Sequence, residues 1–174
     1  MTTNFSILAS AKALPTTQVM NQELTQLMPT SDDWIKQRTG IHSRHIATTE
    51  TTTSLAVSVA QQLLEQSQLA ATALDLIIVA TMSPDYLTPA TAPQVQAAIG
   101  AEQAIAFDIN VACAGFVYGM QLVHQYLQPG QTALLIGSET LSRLVDWHDR
   151  STAVLFGDGA GGMLISANPS LMTG

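Results

Sequence analysis

Charge is scarce in this sequence. Asp, Glu, Lys and Arg make up 11% of the 174 residues while 47% are apolar; soluble domains carry roughly 25% charged residues at a similar apolar share. So few charges cannot coat a free surface, and part of it is expected to lie under a second subunit or further polypeptide. An ordinary domain dressed in Thr, Gln and Ser is the alternative. Positive charge is scarcer still: six Lys and Arg against thirteen Asp and Glu, a net charge of -7. That argues against nucleic acid as the main partner, because phosphate backbones are met by a basic stripe. No apolar run approaches a membrane span, and "MTTNFSILASAKALP" lacks the basic head and sustained apolar stretch of a secretory signal. A cytoplasmic protein with no membrane attachment is expected. Linkers, repeats and low-complexity tracts are also missing, which suits one domain. Cysteine occurs once, at Cys113, so no internal disulfide can form, and the thiol is either a small buried hydrophobe or a reactive group.

The few cations are clustered. Lys36, Arg38 and Arg44 lie in one short stretch, Arg143 and Arg150 in another, and together they form a candidate site for a small anion. Solvated surface side chains are the alternative for each.

"NFSILASAKAL" reads as a strand, followed by a Pro/Thr turn and a short helix over 21–28. "TSDDWIKQRTG" reads as a helix with a capping box from Thr30 to Asp33 and a stop at Gly40, carrying Trp34 and Arg38 on one face at i, i+4. Leu55, Val59, Leu63 and Leu64 recur at helical spacing between residues 51 and 69. "LDLIIVATMS" is a continuous apolar run of strand length, suited to burial on both faces. "PATAPQVQAAIG" has the Pro-first, Gly-last asymmetry of a helix. "AIAFDINV" and "QTALLIGSE" read as strands, "AGFVYGMQLVHQYLQ" as a helix, and "TAVLFGDGAGGMLIS" as two strands about a Gly-rich turn. Alternating strands and helices predict a layered α/β domain with a mainly parallel sheet. "GDGAGG" lacks G-x-G-x-x-G spacing and leads into a strand-like segment, which argues against a dinucleotide loop.

Cys113 falls where the strand "AFDINV" gives way to the helix from Ala114 to Gln128. A helix N-terminus directs unpaired amides and a partial positive charge at whatever sits there, which favours thiolate over thiol. The backbone N–H groups at such a turn can hold a developing oxyanion, and Ala112, Ala114 and Gly115 leave room for a carbonyl to approach. These residue types suit a nucleophile for acyl groups; a buried, inert thiol is the alternative. Gly115 and Gly119, at i, i+4, would also let another helix approach closely.

At this point the residues resemble a known family. "FDINVACAGFVYGM" resembles the active-site segment of beta-ketoacyl-acyl carrier protein synthase III, the condensing enzymes that start bacterial type II fatty acid synthesis. "TSDDWIKQRTGIHSRHI", "LDLIIVATMSPD", "ALLIGSETLSR" and "DRSTAVLFGDGAGGMLIS" are similar to successive family segments, in order, over essentially the whole chain. The resemblance implies a thiolase-like α/β fold in which residues 1–174 are the N-terminal half. It implies that Cys113 accepts an acyl group from acyl-CoA, acetyl-CoA for instance, for condensation with malonyl-acyl carrier protein. Trp34 matches the aromatic that stacks on the CoA adenine, Arg38 and Arg150 the residues beside the nucleotide and its phosphates, and Thr30 a neighbour of the same base. A homodimer is implied, with acyl-CoA as substrate and no permanently bound cofactor or metal. Two departures stand out. Thr88 falls where many members have a bulky Phe reaching the partner's acyl pocket, which predicts tolerance of longer or branched acyl groups. Asn110 and Val111 replace alanines common before the cysteine.

The family's catalytic His and Asn come from a second half, and His42, His45, His124 and His148 lie in no segment matching that histidine. The chain ends at Gly174, about where the second half should begin, so this chain alone is expected to have little condensing activity. Another member of the superfamily, a hydroxymethylglutaryl-CoA synthase or a polyketide starter enzyme, is the alternative, and a non-catalytic assembly module is a further one.

Overall fold

The run "LIIVA" becomes strand β4 (Leu76–Ala80), every residue of it buried, because it lies inside the sheet with a parallel neighbour on each side. Those neighbours are β5 (Ile105–Ile109) and β6 (Thr132–Thr140). β7 (Asp158–Asn168) pairs antiparallel with β6, and β1 (Asn4–Ala13) antiparallel with β7, giving the order β1-β7-β6-β4-β5. Four of the five strands thus point one way and β7 alone opposes them, the mixed, mainly parallel sheet that the sequence predicts. This computed structural model describes residues 4–168.

Side chains alternate across β4, and each set has its own helical cover. Ile77 and Val79 pack with Leu134, Ile136 and Leu164 under α3 (Thr52–Ser67) and α4 (Thr91–Ile99), which contribute Leu55, Val59, Leu63 and Val95. Leu76 and Ile78 face the other way, with Leu135, Ile165 and Val123 of α5 (Gly115–Tyr126). Burial of each such side chain contributes roughly 1.5–3 kcal/mol. α5 carries apolar side chains that nothing covers among the described residues: Val117 and Tyr118 are 72% and 54% exposed. Among the described residues no helix is long and apolar enough to cross a membrane.

A smaller unit flanks the main sheet. β2 (Thr17–Met20) and β3 (Ser43–Ile46) pair antiparallel. With α1 (Asn21–Leu24), α2 (Asp32–Thr39) and α6 (Arg150–Ala153) they surround a second core of Leu24, Met28, Ile35 and Val154, against which Trp34 packs.

The structure corrects four local readings. The Pro/Thr turn continues directly into β2, and α1 stops at Leu24. The cap of α2 is Ser31, whose hydroxyl accepts the Trp34 N–H at 3.1 Å, so Thr30 stands one residue outside it; Gly40 ends the helix at φ 72°. "RSTA" is helical, with Asp149 as its cap. Most notably, "GDGAGG" is no turn between strands: residues 158–162 open β7, with Gly159 opposite Glu139 and Gly161 opposite Gly137. These glycines serve close packing: a Cβ at Gly162 would come within 2.8 Å of the Leu135 carbonyl oxygen and 2.9 Å of Val59 Cγ1 on α3.

Glu50 secures the approach to α3. Its Oε1 accepts from the Thr16 N–H at 2.9 Å and the Thr16 hydroxyl at 3.3 Å, and its Oε2 from the amides of Thr48 and Thr49. These bonds, that from the Thr16 amide foremost, hold its carboxyl at about 2 against an ordinary 4.5. A carboxyl depressed in the folded state adds stability that is present above the unfolded pKa and is lost as pH falls through the folded one. Glu50→Gln is therefore expected to lose Tm less steeply than the parent between pH 4.5 and about 2, as thermal unfolding across that window would show.

Candidate active site

Strand β5 ends at Ile109, and one turn of 3-10 helix, Ala112–Ala114, carries the chain into α5. Cys113 sits in that turn and is exposed, at the helix N-terminus rather than along its interior or sealed in hydrocarbon. The turn is strained: Ala112 has φ 45°, a left-handed conformation that costs a residue with a Cβ about 1–2 kcal/mol. Gly115 and Gly119 explain how α5 sits so low on the sheet. A Cβ at Gly115 would be 3.0 Å from that of Ala80, and one at Gly119 would collide with the Leu135 side chain. Their bare faces meet the sheet, so the close approach is to strands rather than to another helix.

The thiol borders an open cleft of about 360 Å³. Gly137 of β6 and Gly159 and Gly161 of β7 line it, with Ala80, Leu14, Phe116, Ser138 and Glu139 around them. Small residues keep this stretch of sheet bare. No histidine or asparagine lines the cleft among the described residues. His45 Nδ1 lies 2.7 Å from the Pro15 carbonyl, the His124 ring is against Phe5 at 4.9 Å, and His148 stands beside Asp146. Glu139 escapes sequence reasoning. Its one signal is a carboxylate at the C-terminal end of a buried strand, the edge of an α/β sheet where ligands gather.

A second cluster forms around Trp34. Helical spacing puts the Arg38 guanidinium 4.4 Å from the indole centroid, and α6 brings Arg150, distant in sequence, to 4.4 Å as well. Arg150 also donates to the Pro29 carbonyl at 3.0 Å, and Thr30 joins Pro29, Ser31, Trp34 and Arg150 around a pocket. The Thr30 hydroxyl is buried there without a hydrogen-bond partner. A flat indole with two guanidiniums, in a chain of net charge -7, suits an aromatic anion such as a nucleotide.

The other cations are spent elsewhere, which narrows the anion site expected from the two sequence clusters. Lys36 pairs with Asp32 at 2.6 Å. Arg44 is buried, donates to Asn21 Oδ1 at 2.8 Å and to the Val154 carbonyl at 3.2 Å, and has its pKa lowered by burial. Arg143 binds Asp85 at 3.1 Å and the carbonyls of Ser83 and Pro84. Thr88 shares neither pocket. It is exposed on the loop between β4 and α4, after Tyr86 and Leu87, which are 62% and 98% exposed. Among the described residues no group of three or more metal-ligating side chains occurs.

The family model of 3-oxoacyl-(acyl-carrier-protein) synthase III matches residues 107–173, which include the Cys113 turn. The beta-ketoacyl-(acyl-carrier-protein) synthase III 2 of Lactiplantibacillus plantarum is 91% identical over 174 residues, 100% of this chain and 53% of that protein. The crystal structure of the synthase III from Aquifex aeolicus superposes with a TM-score of 0.90 at 41% identity, over 95% of this chain and 54% of that one. The priming beta-ketosynthase of the R1128 polyketide pathway superposes with a TM-score of 0.90 at 30% identity, over 94% and 50%. The chain spans about half the length of the curated relatives it matches. By sequence and by its thiolase-like fold, the chain is similar to about half of each of these beta-ketoacyl-acyl carrier protein synthase III proteins.

Proposed function

We propose that Cys113 is the nucleophile of an acyl transfer that begins fatty acid synthesis. Its sulfur attacks the thioester carbonyl of a short acyl-CoA, the C–S bond to CoA breaks, and the CoA thiol departs, leaving the acyl group on Cys113. Malonyl-acyl carrier protein then loses CO2, and its resulting carbanion takes the acyl group to give a β-ketoacyl-carrier protein and the free cysteine. The observation that carries this reading is the exposed thiol at the start of α5, beside a strip of sheet kept bare by glycine. In the same reading the adenine stacks on Trp34, Arg38 and Arg150 meet the nucleotide phosphates, and the unpartnered Thr30 hydroxyl bonds the base. Decarboxylation draws an imidazole and an amide from a second half of the protein, which also covers the outer face of α5. The working form is a cytoplasmic homodimer.

The test is incubation of the intact protein with acetyl-CoA, followed by peptide mass mapping and assay of condensation with malonyl-acyl carrier protein. An acetyl adduct on Cys113 and a β-ketoacyl product are expected; absence of the adduct overturns the reading. Trp34→Ala and Arg150→Ala should each weaken acyl-CoA binding about tenfold, since a desolvated contact of this kind is worth ~1–2 kcal/mol. Acylation by a short thioester that lacks the nucleotide should be unchanged, and titration calorimetry beside acylation kinetics separates the two effects. Thr88→Phe should reduce kcat/KM for a longer acyl-CoA relative to acetyl-CoA at least about tenfold, as a pocket discriminates by volume.

The structural likeness to a priming beta-ketosynthase of a polyketide pathway favours one other reading, in which the same cysteine chemistry starts a polyketide. Product analysis with carrier proteins of the two pathways decides between them.

A further inference from the structure

Among the described residues the one carboxylate lining the Cys113 cleft is Glu139, and both its oxygens are engaged by the loop that follows β4. Oε1 accepts the Met82 N–H at 2.7 Å. Oε2 accepts from the Ser83 hydroxyl and, more weakly, from the Thr81 hydroxyl at 3.4 Å. The loop is then fastened residue by residue. Ser83 Oγ accepts the Thr140 N–H at 2.9 Å, and its carbonyl accepts the Thr52 hydroxyl at 2.6 Å. Arg143 holds the Pro84 carbonyl at 2.8 Å and the Asp85 carboxylate at 3.1 Å. Asp85 accepts the amides of Thr52 and Thr53 at the start of α3. Burial opposes the charge on Asp85, but the hydrogen bonds it accepts, those from these amides among them, outweigh it and hold its carboxyl below the ordinary range. Thr81 and Ser83 are buried, whereas Tyr86, Leu87 and Thr88 are exposed. The loop therefore has a fixed root beside the cleft and a projecting tip.

We propose that Glu139 is a positioning residue: it latches the root of the β4–α4 loop to β6, and by fixing that wall of the cleft it sets which acyl groups the site accepts, without joining the acyl transfer. Both carboxylate oxygens accept from the loop, which holds the group against the loop root. A latch needs an acceptor of fixed reach on a rigid element, and Glu139 stands on a central strand paired on both sides. The selectivity part of the proposal rests on acyl transfer at Cys113; the latch itself does not.

The experiment compares the intact protein with its Glu139→Ala, Glu139→Gln and Ser83→Ala variants by amide hydrogen exchange and by acylation with acetyl-CoA and a longer acyl-CoA. Loss of a hydrogen bond to a charged group should speed exchange at Met82 about tenfold or more in Glu139→Ala. The ratio of the two acylation rates should move at least about fivefold, while alkylation of Cys113 by iodoacetamide stays within about twofold of the parent. Glu139→Gln should restore both readouts, because its carbonyl still takes the Met82 N–H and its amide can donate to Ser83. Ser83→Ala removes one donor and tests the latch even if Glu139→Ala does not fold. Unchanged exchange and an unchanged ratio in folded variants overturn the proposal. So does a Glu139→Gln variant as impaired as Glu139→Ala with normal loop exchange, since the charge itself would then be acting. A parent that takes no acyl group refutes acyl transfer at Cys113 and with it the selectivity part, while exchange still decides the latch.

Discussion

Cys113→Ser is expected to lower acylation by acyl-CoA at least about a thousandfold, a loss typical of removing a nucleophile, with CoA binding unchanged. The substitution replaces sulfur by oxygen at nearly constant shape. A serine hydroxyl is almost wholly un-ionised near pH 7 and needs an adjacent base, whereas a thiol supplies some thiolate by itself. The side chain is exposed, so no core contact is lost and stability should stay within about 0.5 kcal/mol of the parent. The Trp34 pocket shares no lining residue with the cleft, so CoA affinity should hold. Intact-mass measurement of acyl transfer, with calorimetry of CoA binding, checks both halves. A serine variant acylated at a rate near the parent's would remove Cys113 from the mechanism.

Which parts of this arrangement were legible in the sequence follows from how local each one is. β4 was readable because five consecutive buried residues demand a strand covered on both faces. The Cys113 turn was readable because small residues mark the passage from "FDINV" to the helix. Trp34 and Arg38 meet through i, i+4 spacing, a property of one helix. Arg150 meets the same indole from a separate element; the residues alone gave only a loose cation cluster, and its place by Trp34 came from the family resemblance. Glu139 was invisible for a related reason: its donors, Thr81 to Ser83, lie more than fifty residues away. β2 and β3 are four residues each and exist by pairing with each other, as Gln18 does with His45. The cap of α2 was misplaced by one residue because Thr30 and Ser31 are both good caps, and only backbone geometry selects Ser31. The shortage of charge has its counterpart in the exposed Val117 and Tyr118 of α5 and in Ile105, 57% exposed, on β5, one of the two edge strands of the sheet.

In the sequence the glycines of β7 read as a turn; in the strand adjacent glycines do opposite work, which a pair of substitutions separates. Successive residues of a strand face opposite sides. Gly161 lines the Cys113 cleft, and a Cβ there would find its nearest neighbour, the Ala11 carbonyl, at an ordinary 3.7 Å. Gly162 faces α3, where a Cβ would lie 2.8 Å from the Leu135 carbonyl oxygen, 2.9 Å from Val59 Cγ1 and 3.0 Å from Ile136 Cγ1. Alanine in a strand interior gains about 0.5–1 kcal/mol over glycine from reduced chain entropy. At Gly161 nothing offsets that gain, so Gly161→Ala should be neutral or slightly stabilising while narrowing the space beside the thiol. At Gly162 the obstacle includes backbone of the neighbouring central strand and a β-branched side chain, neither of which yields easily. Overpacking of that kind costs about 1–3 kcal/mol, more than the entropy returns, so Gly162→Ala should be destabilised. In a chain of this size each kcal/mol lowers Tm by about 2–4 °C, and calorimetry of the two variants should order them Gly161→Ala above Gly162→Ala. The reverse order would mean that α3 is not seated on β7 through Gly162. Slower acylation in Gly161→Ala at undiminished Tm would show that the bare sheet beside Cys113 is kept open for the acyl group, at the expense of the entropy that a side chain would have saved.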